Sequence, residues 1–256
     1  MKRLIALMLV LVVVAAACSD DGTTTPEAAA TSVATATPDT TLAPTETTPR
    51  PPQVVEVSIA TADGLTLDAT LYPGASDWVV LGHMLPADKT SWAGLAALLQ
   101  DAGFTVLAYN NRGYGDSDGE REPFDLPTDA RAALAFARSE GATRIVYGGA
   151  SMNGANAMVI GADADLTGIF TLSGVPTFPS AGNAAASVPD IEGSKLFVAA
   201  EDDGNAAADA GDYFDAATQP RQVIILERGG HGTNMLLTNP DLGPQILQWI
   251  EGAFGA

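Results

Sequence analysis

Apolar and polar residues alternate with a period of two in residues 54–59 and 65–71, on either side of an Ala-Asp-Gly turn at residues 62–64. Such alternation is typical of half-buried β-strands, and a short turn between two such segments is typical of a hairpin. The pattern therefore predicts an antiparallel β-hairpin at the start of the ordered part of the chain.

After the hairpin, short runs of apolar residues alternate with helical patterns up to the end of the chain. Runs that are apolar on both faces suit buried parallel strands, because helices cover both sides of such a sheet. The pattern predicts an α/β fold with a mostly parallel central sheet, entered through the antiparallel hairpin and flanked by helices on both faces. The predicted strands are residues 78–81, 104–108, 144–147, 168–172, 195–199 and 222–226. The predicted helices are residues 92–102, 128–140, 153–162, 205–217 and 244–254.

Residues 1–17 have the composition of an export signal. Lys2 and Arg3 are followed by an unbroken apolar run at residues 4–14 and by three alanines. The run is shorter than the roughly 20 residues that a membrane-spanning helix requires. Cys18 follows the alanines directly, and this resembles the lipobox of bacterial lipoproteins. The resemblance implies cleavage before Cys18, lipid modification of that residue and an extracytoplasmic, membrane-anchored protein; the alternative is an ordinary signal whose removal leaves a free thiol.

Residues 18–52 are rich in threonine, proline and alanine and contain no aromatic residue. Such a segment cannot bury enough apolar surface to offset the entropy of ordering it. We therefore predict three parts: a signal peptide at residues 1–17, a lipid-anchored disordered tether at residues 18–52 and a folded domain at residues 53–256.

The composition excludes several classes of function. A formal net charge of -19 argues against a nucleic-acid partner, because phosphate binding requires clustered lysine and arginine. One cysteine and two histidines argue against a cysteine-rich or histidine-rich metal site. The chemistry of the domain therefore has to be sought in oxygen nucleophiles, carboxylates and the two histidines.

Two serines are candidates for a nucleophile. Residues 115–119 match Gly-x-Ser-x-Gly literally, but loop-forming residues surround Ser117, whereas a nucleophile elbow needs a strand before the serine and a helix after it. Residues 149–153, Gly-Ala-Ser-Met-Asn, have that context around Ser151 but carry Asn153 where a second glycine is usual. Ser151 is therefore the predicted nucleophile, and a serine that merely begins a helix is the alternative.

Partners for Ser151 follow two later strands. His231 lies in the glycine-rich residues 228–232 after one predicted strand, and residues 201–203, Glu-Asp-Asp, follow the strand before it. A catalytic imidazole needs a carboxylate that sets its tautomer and stabilises its charged form. Three such groups at three strand ends predict a Ser-His-Asp triad; the alternative is a solvated acidic turn beside an incidental histidine.

These motifs resemble those of the α/β-hydrolase family over residues 53–256. Residues 82–85, Gly-His-Met-Leu, resemble the family's His-Gly-x segment, and residues 111–117 its Arg-Gly-x-Gly-x-Ser loop, which accounts for the literal match at Ser117. The family's Gly-x-x-Asp pattern selects Asp203 as the acid and leaves Glu201 and Asp202 solvated. The resemblance thus implies Ser151, His231 and Asp203 in the roles of nucleophile, base and acid.

The same resemblance assigns the oxyanion hole and one structural residue. It implies that the backbone N–H groups of Leu85 and Met152 hold the oxyanion. Because Met84 replaces the usual glycine, its own N–H is the alternative to that of Leu85. His83 is expected to brace the loop through its backbone rather than act as a second base.

The implied activity is acyl transfer by an extracytoplasmic serine hydrolase, of the carboxylesterase type, on small ester-like substrates. This chemistry implies no metal and no organic cofactor. Only about twenty residues, 175–194, separate two successive strands, so we expect no lid domain and an open site. A monomer is expected, with membrane contact through the lipid anchor only. Two alternatives stay open: a peptidase-like hydrolase of the same fold, and a catalytically weak, surface-tethered binding protein for which Asn153 and Met84 are the reasons.

Overall fold

A computed structural model describes residues 54–255, which contain one large β-sheet. All eight strands predicted from the sequence are present in it, with ends that differ from the predicted ones by at most three residues. The strands of this sheet are β1 (Val55–Ala60), β2 (Thr66–Tyr72), β3 (Asp77–Gly82), β4 (Thr105–Tyr109), β5 (Arg144–Ala150), β6 (Gly168–Leu172), β9 (Ser194–Ala200) and β10 (Arg221–Leu226).

The order of strands across this sheet is β1-β2-β4-β3-β5-β6-β9-β10. Strand β2 is antiparallel to both β1 and β4, and every other neighbouring pair is parallel. The predicted mostly parallel sheet with an antiparallel N-terminal hairpin is therefore confirmed. Because β3, β5, β6, β9 and β10 run in the same direction, the loops that follow them meet at one edge of the sheet.

Helices cover both faces of the sheet, and each face has its own apolar core. Successive residues of β3 show the division: Trp78 and Val80 belong to the core beneath α2, α3 and α4, and Val79 and Leu81 to the core beneath α1 and α6. This is why the central strands β4, β3, β5 and β6 are apolar at nearly every position. The helices are α1 (Ala93–Asp101), α2 (Leu126–Ser139), α3 (Met152–Gly161), α4 (Ala206–Ala216), α5 (Asn234–Thr238) and α6 (Leu242–Gly255).

The segment between β6 and β9 is compact, as its length predicts. It forms a small antiparallel hairpin, β7 (Thr177–Phe178) and β8 (Gly182–Asn183), and a 3₁₀ helix, Ala184–Asp190. Within residues 54–255 there is therefore no lid domain on the sheet edge. The hairpin, the 3₁₀ helix and the five-residue helix α5 were not predicted, because elements this short carry no measurable periodicity.

The predicted signal peptide, Cys18 and the tether lie outside the described residues. Their assignment remains a prediction from sequence. Across residues 54–255, no helix has both the length and the apolar character needed to cross a membrane.

Candidate active site

Ser151 occupies the turn between β5 and α3. Strand β5 ends at Ala150 and helix α3 begins at Met152, so one residue makes the change of direction. Ser151 has φ 51° and ψ -108°, a conformation that a residue with a Cβ rarely adopts. Its N–H donates to Leu172 O of the neighbouring strand β6 at 2.9 Å, which holds the turn in place. The geometry is that of a nucleophile elbow.

Ser117 has a structural environment instead. Its Oγ donates to Asn110 O at 3.0 Å and accepts from the N–H of Asp68 at 2.9 Å. The first bond lies within the loop after β4 and the second joins this loop to strand β2, so the hydroxyl group is used as both donor and acceptor. The literal Gly-x-Ser-x-Gly match is therefore a brace between two parts of the chain.

His231 and Asp203 are in contact. The imidazole Nδ1 lies 2.8 Å from Oδ2 and 3.0 Å from Oδ1 of Asp203. The carboxylate side chain is 17% exposed and the imidazole 38% exposed, so the acid is shielded while the ring reaches solvent. With Nδ1–H donating to the carboxylate, Nε2 carries the lone pair that a general base requires.

Two further side chains, Asp202 and Ser173, hold the loop that carries His231. Oδ1 of Asp202 accepts from the N–H groups of Gly229 at 2.9 Å and Gly230 at 3.0 Å, and these bonds lower the pKa of Asp202. Oγ of Ser173, at the end of β6, accepts from the N–H of Gly232 at 3.0 Å. Asp202 is exposed, as expected, but it is not merely solvated, because it anchors the histidine loop.

The histidine loop packs against the nucleophile elbow. Gly232 has φ 58°, and a Cβ added to it would lie 3.6 Å from the Cβ of Ala150. The residue after His231 thus lies close to the residue before Ser151, so the two side chains lie at the same edge of the sheet. Among the described residues, no hydrogen bond joins Ser151 Oγ to the ring of His231. Such a bond often forms only when substrate is bound.

His83 is a buried, neutral brace. Its Nδ1–H donates to Met84 O at 3.0 Å, and its Nε2 accepts from the N–H of Asn111 at 3.1 Å. Burial lowers the pKa of His83 to about 4, although the bond to Met84 O opposes this. With both ring nitrogens engaged by backbone, His83 has no free nitrogen with which to act as a base.

The two residues expected to hold the oxyanion lie on either side of this site. Met152 is the first residue of α3, and the N–H groups of the first helical turn have no acceptor within the helix. Leu85 lies in the loop after β3 and is 38% exposed. Strands β3 and β5 are neighbours in the sheet, so the loop that carries Leu85 and the start of α3 flank the same strand ends.

The low pKa of His83 predicts a pH-dependent stability. Between pH 6.5 and 4 the unfolded chain binds a proton at this histidine that the folded chain does not, so stability falls as the pH falls through that range. The full effect is about 3 kcal/mol of unfolding free energy. The unfolding free energy can be measured by urea titration at several pH values. Between pH 6.5 and 4 it should fall by about this amount more in the native sequence than in His83→Gln. An equal slope in both proteins would contradict the assignment.

Comparisons with known proteins agree with this architecture. Residues 77–166 match a family model described as alpha/beta hydrolase fold. An esterase from Pyrococcus furiosus superposes with a TM-score of 0.67 at 15% identity, covering 78% of this chain and 90% of that one. An esterase from Exiguobacterium antarcticum gives 0.68 at 14% identity, with 77% and 100% covered. A dienelactone hydrolase from Anabaena variabilis gives 0.64 at 20% identity, with 80% and 98% covered. The chain has the α/β-hydrolase fold.

Two curated relatives are similar to part of the chain. Two uncharacterized proteins of Mycobacterium tuberculosis are each 31% identical to it over 110 residues. The match covers 40% of this chain and 39% of each relative. Because these relatives are uncharacterized and only partly covered, the matches assign no activity to this chain.

Proposed function

We propose that this protein is a serine hydrolase that cleaves ester-like acyl bonds of small substrates. The observation that carries the proposal is the strained Ser151 at the β5–α3 turn, packed against the loop whose His231 bonds Asp203 at 2.8 Å. A backbone held at positive φ costs about 1–3 kcal/mol and persists where the surrounding structure maintains it, commonly at functional sites. Here the strained Ser151 lies next to an imidazole–carboxylate pair, and this combination supports acyl transfer.

In the proposed mechanism, Oγ of Ser151 attacks the substrate carbonyl while Nε2 of His231 accepts the proton of the serine hydroxyl. Asp203 stabilises the resulting imidazolium through Nδ1–H. The N–H groups of Met152 and Leu85 donate to the oxyanion, and collapse of the intermediate expels the alcohol, which takes the proton from His231. Water then attacks the acyl-enzyme by the same proton transfers and releases the acid. The steps require no cofactor or metal.

The proposed substrates are small and soluble. The compact segment between β6 and β9 supports a site without a lid, and such a site does not enclose a long acyl chain. We also propose that the domain is monomeric, acts outside the cytoplasm and is attached to a membrane through a lipid on Cys18. The location outside the cytoplasm and the lipid anchor rest on the signal-like residues 1–17 and on Cys18 alone.

Labelling with a fluorophosphonate tests the proposal without knowledge of the substrate. The folded protein should be labelled within minutes, whereas urea-unfolded protein should not, because only an activated serine reacts. A folded protein that resists labelling would contradict the proposed serine hydrolase and favour a binding protein on a hydrolase scaffold.

Comparing p-nitrophenyl acetate with an aminoacyl p-nitroanilide then separates an esterase from a peptidase. We expect the ester to be cleaved faster, and preference for the anilide would identify a peptidase.

A further inference from the structure

We propose that Asn153 and Met84, which replace two glycines of the family pattern, act together as positioning residues for the oxyanion loop, residues 83–85. Asn153 ties this loop to helix α3, and Met84 ties it to the histidine loop, residues 228–232. This inference rests on the proposed function. It reverses the interpretation of both residues as signs of weak catalysis.

Asn153 is fully buried and all of its polar atoms are engaged. Its Nδ2 donates to the backbone carbonyl of His83 at 2.7 Å and to Oδ1 of Asn111 at 2.6 Å. Its Oδ1 lies 3.2 Å from the hydroxyl of Tyr109 and 3.1 Å from that of Tyr147. The backbone carbonyl of His83 can only accept, so it fixes which end of the amide faces the oxyanion loop. A buried, fully bonded amide is a rigid support.

The space for this side chain comes from a different glycine. A Cβ added to Gly82 would lie 2.6 Å from Cγ of Asn153 and 2.7 Å from the hydroxyl of Tyr147. Glycine at the end of β3 therefore accommodates the asparagine on α3. Asn153 therefore does not crowd the elbow, because its side chain fills the space beside Gly82 and Ser151 keeps the elbow geometry.

The bond from Asn153 determines the direction of a candidate oxyanion donor. In a planar trans peptide the C=O and the following N–H point in opposite directions. The His83 carbonyl points to Asn153, so the N–H of Met84 points away from it. In the same way, the bond from His83 Nδ1 to Met84 O directs the N–H of Leu85. Both N–H groups considered for the oxyanion hole thus have orientations set by hydrogen bonds on the opposite side of their peptides.

Met84 fixes the other side of the loop. Its side chain is 6% exposed and lies against Gly232, where an added Cβ would overlap its sulfur. Thr233 Oγ1 donates to the same sulfur at 3.6 Å. A glycine at position 84 would make neither contact. Met84 therefore joins the oxyanion loop to the segment that carries His231, so that all three parts of the site are held as one unit.

A double-mutant cycle tests this coupling, with Asn153→Gly, Met84→Gly and the double variant each restoring the family's glycine. We expect each single variant to lose about 10- to 100-fold in kcat on p-nitrophenyl acetate with KM within about threefold, because a displaced oxyanion donor acts on the transition state. The double variant should lose less than the product of the two single losses, because both residues hold the same loop.

Asn156→Ala is the matched control for loss of a buried amide. Asn156 is equally buried and its Nδ2 donates to Leu126 O at 3.0 Å, with no bond to the oxyanion loop. The same Nδ2 donates to Asn153 Oδ1 at 3.3 Å, but without Asn156 that oxygen keeps its bonds to the hydroxyls of Tyr109 and Tyr147. It should lower Tm as much as Asn153→Gly does while keeping kcat within about threefold. Equal kcat losses in the two variants, or an unchanged kcat in Asn153→Gly, would overturn the inference.

Two further outcomes are separable. If Asn153→Gly folds poorly, Asn153→Ser, which is too short to reach the His83 carbonyl, should show the same loss of kcat; full activity in it would count against the inference. A wild-type protein that fails to react with fluorophosphonate contradicts the proposed function. A reactive wild-type protein with multiplicative losses in the cycle contradicts only the coupling of Asn153 and Met84.

Discussion

Ser151→Ala is expected to abolish fluorophosphonate labelling and to lower kcat for ester hydrolysis by at least about 10⁴-fold. Removal of a triad nucleophile leaves only the rate enhancement that binding and the oxyanion donors provide. The substitution also relieves little strain, because alanine keeps the Cβ that disfavours φ 51°. The variant should therefore fold normally, and circular dichroism and Tm should match those of the wild type.

Ser117→Ala is the control for this experiment, because Ser117 lies in the literal Gly-x-Ser-x-Gly match. Its hydroxyl bonds Asn110 O and the N–H of Asp68, so the substitution should lower the free energy of unfolding by about 1 kcal/mol. Labelling and kcat should stay at the wild-type level. Labelling that survives Ser151→Ala and disappears in Ser117→Ala would identify Ser117 as the nucleophile and contradict the assignment of Ser151.

Asp203→Asn is expected to have the second-largest effect, a loss of about 10⁴-fold in kcat with a smaller change in KM. The carboxylate stabilises the imidazolium that forms as His231 takes the serine proton, and a neutral amide does not. An amide can also donate to Nδ1 and so favour the tautomer in which Nε2 carries the proton. Steady-state kinetics on a short ester, with the pH profile of kcat/KM, would measure both consequences.

Asp202→Asn is the matched control, since it removes a neighbouring charge of the same kind. Its Oδ1 accepts from Gly229 and Gly230, and an amide oxygen can accept the same two bonds. The loss in kcat should therefore stay below about tenfold. If Asp202→Asn were the more damaging of the two, the acid of the site would be Asp202, and the Gly-x-x-Asp pattern would have been misaligned.

The strands and long helices could be predicted from sequence because their signal is local. Strand β5 is apolar at nearly every position and is followed at once by a helical segment, so the elbow at Ser151 follows from a few consecutive residues. The same holds for the loops after β9 and β10 that carry Asp203 and His231. The small hairpin β7–β8 and helix α5 could not be predicted, because two to five residues define no period.

The hydrogen bonds that hold the loops of the site could not be predicted from sequence, for a different reason. Asn153 and the His83 carbonyl are 70 positions apart, and Ser173 and Gly232 are 59 apart. Whether such residues meet depends on which strands are neighbours. The order β3-β5-β6-β9 brings the loops after these strands together, and no local pattern encodes that order. The role of Asp202 was missed for the same reason, since its partners belong to the loop after the next strand.

The amino-acid sequence by itself determined the alternation of strands and helices, the acidic character of the domain and the three strand ends at which Ser151, Asp203 and His231 lie. Periodicity and turn chemistry are properties of neighbouring residues, so they can be read along the chain. Only the tertiary structure decided that Asn153 fills the space beside Gly82 and holds the oxyanion loop. That outcome depends on close packing between distant segments, where a single side chain fits or clashes according to the positions of atoms far away in the sequence.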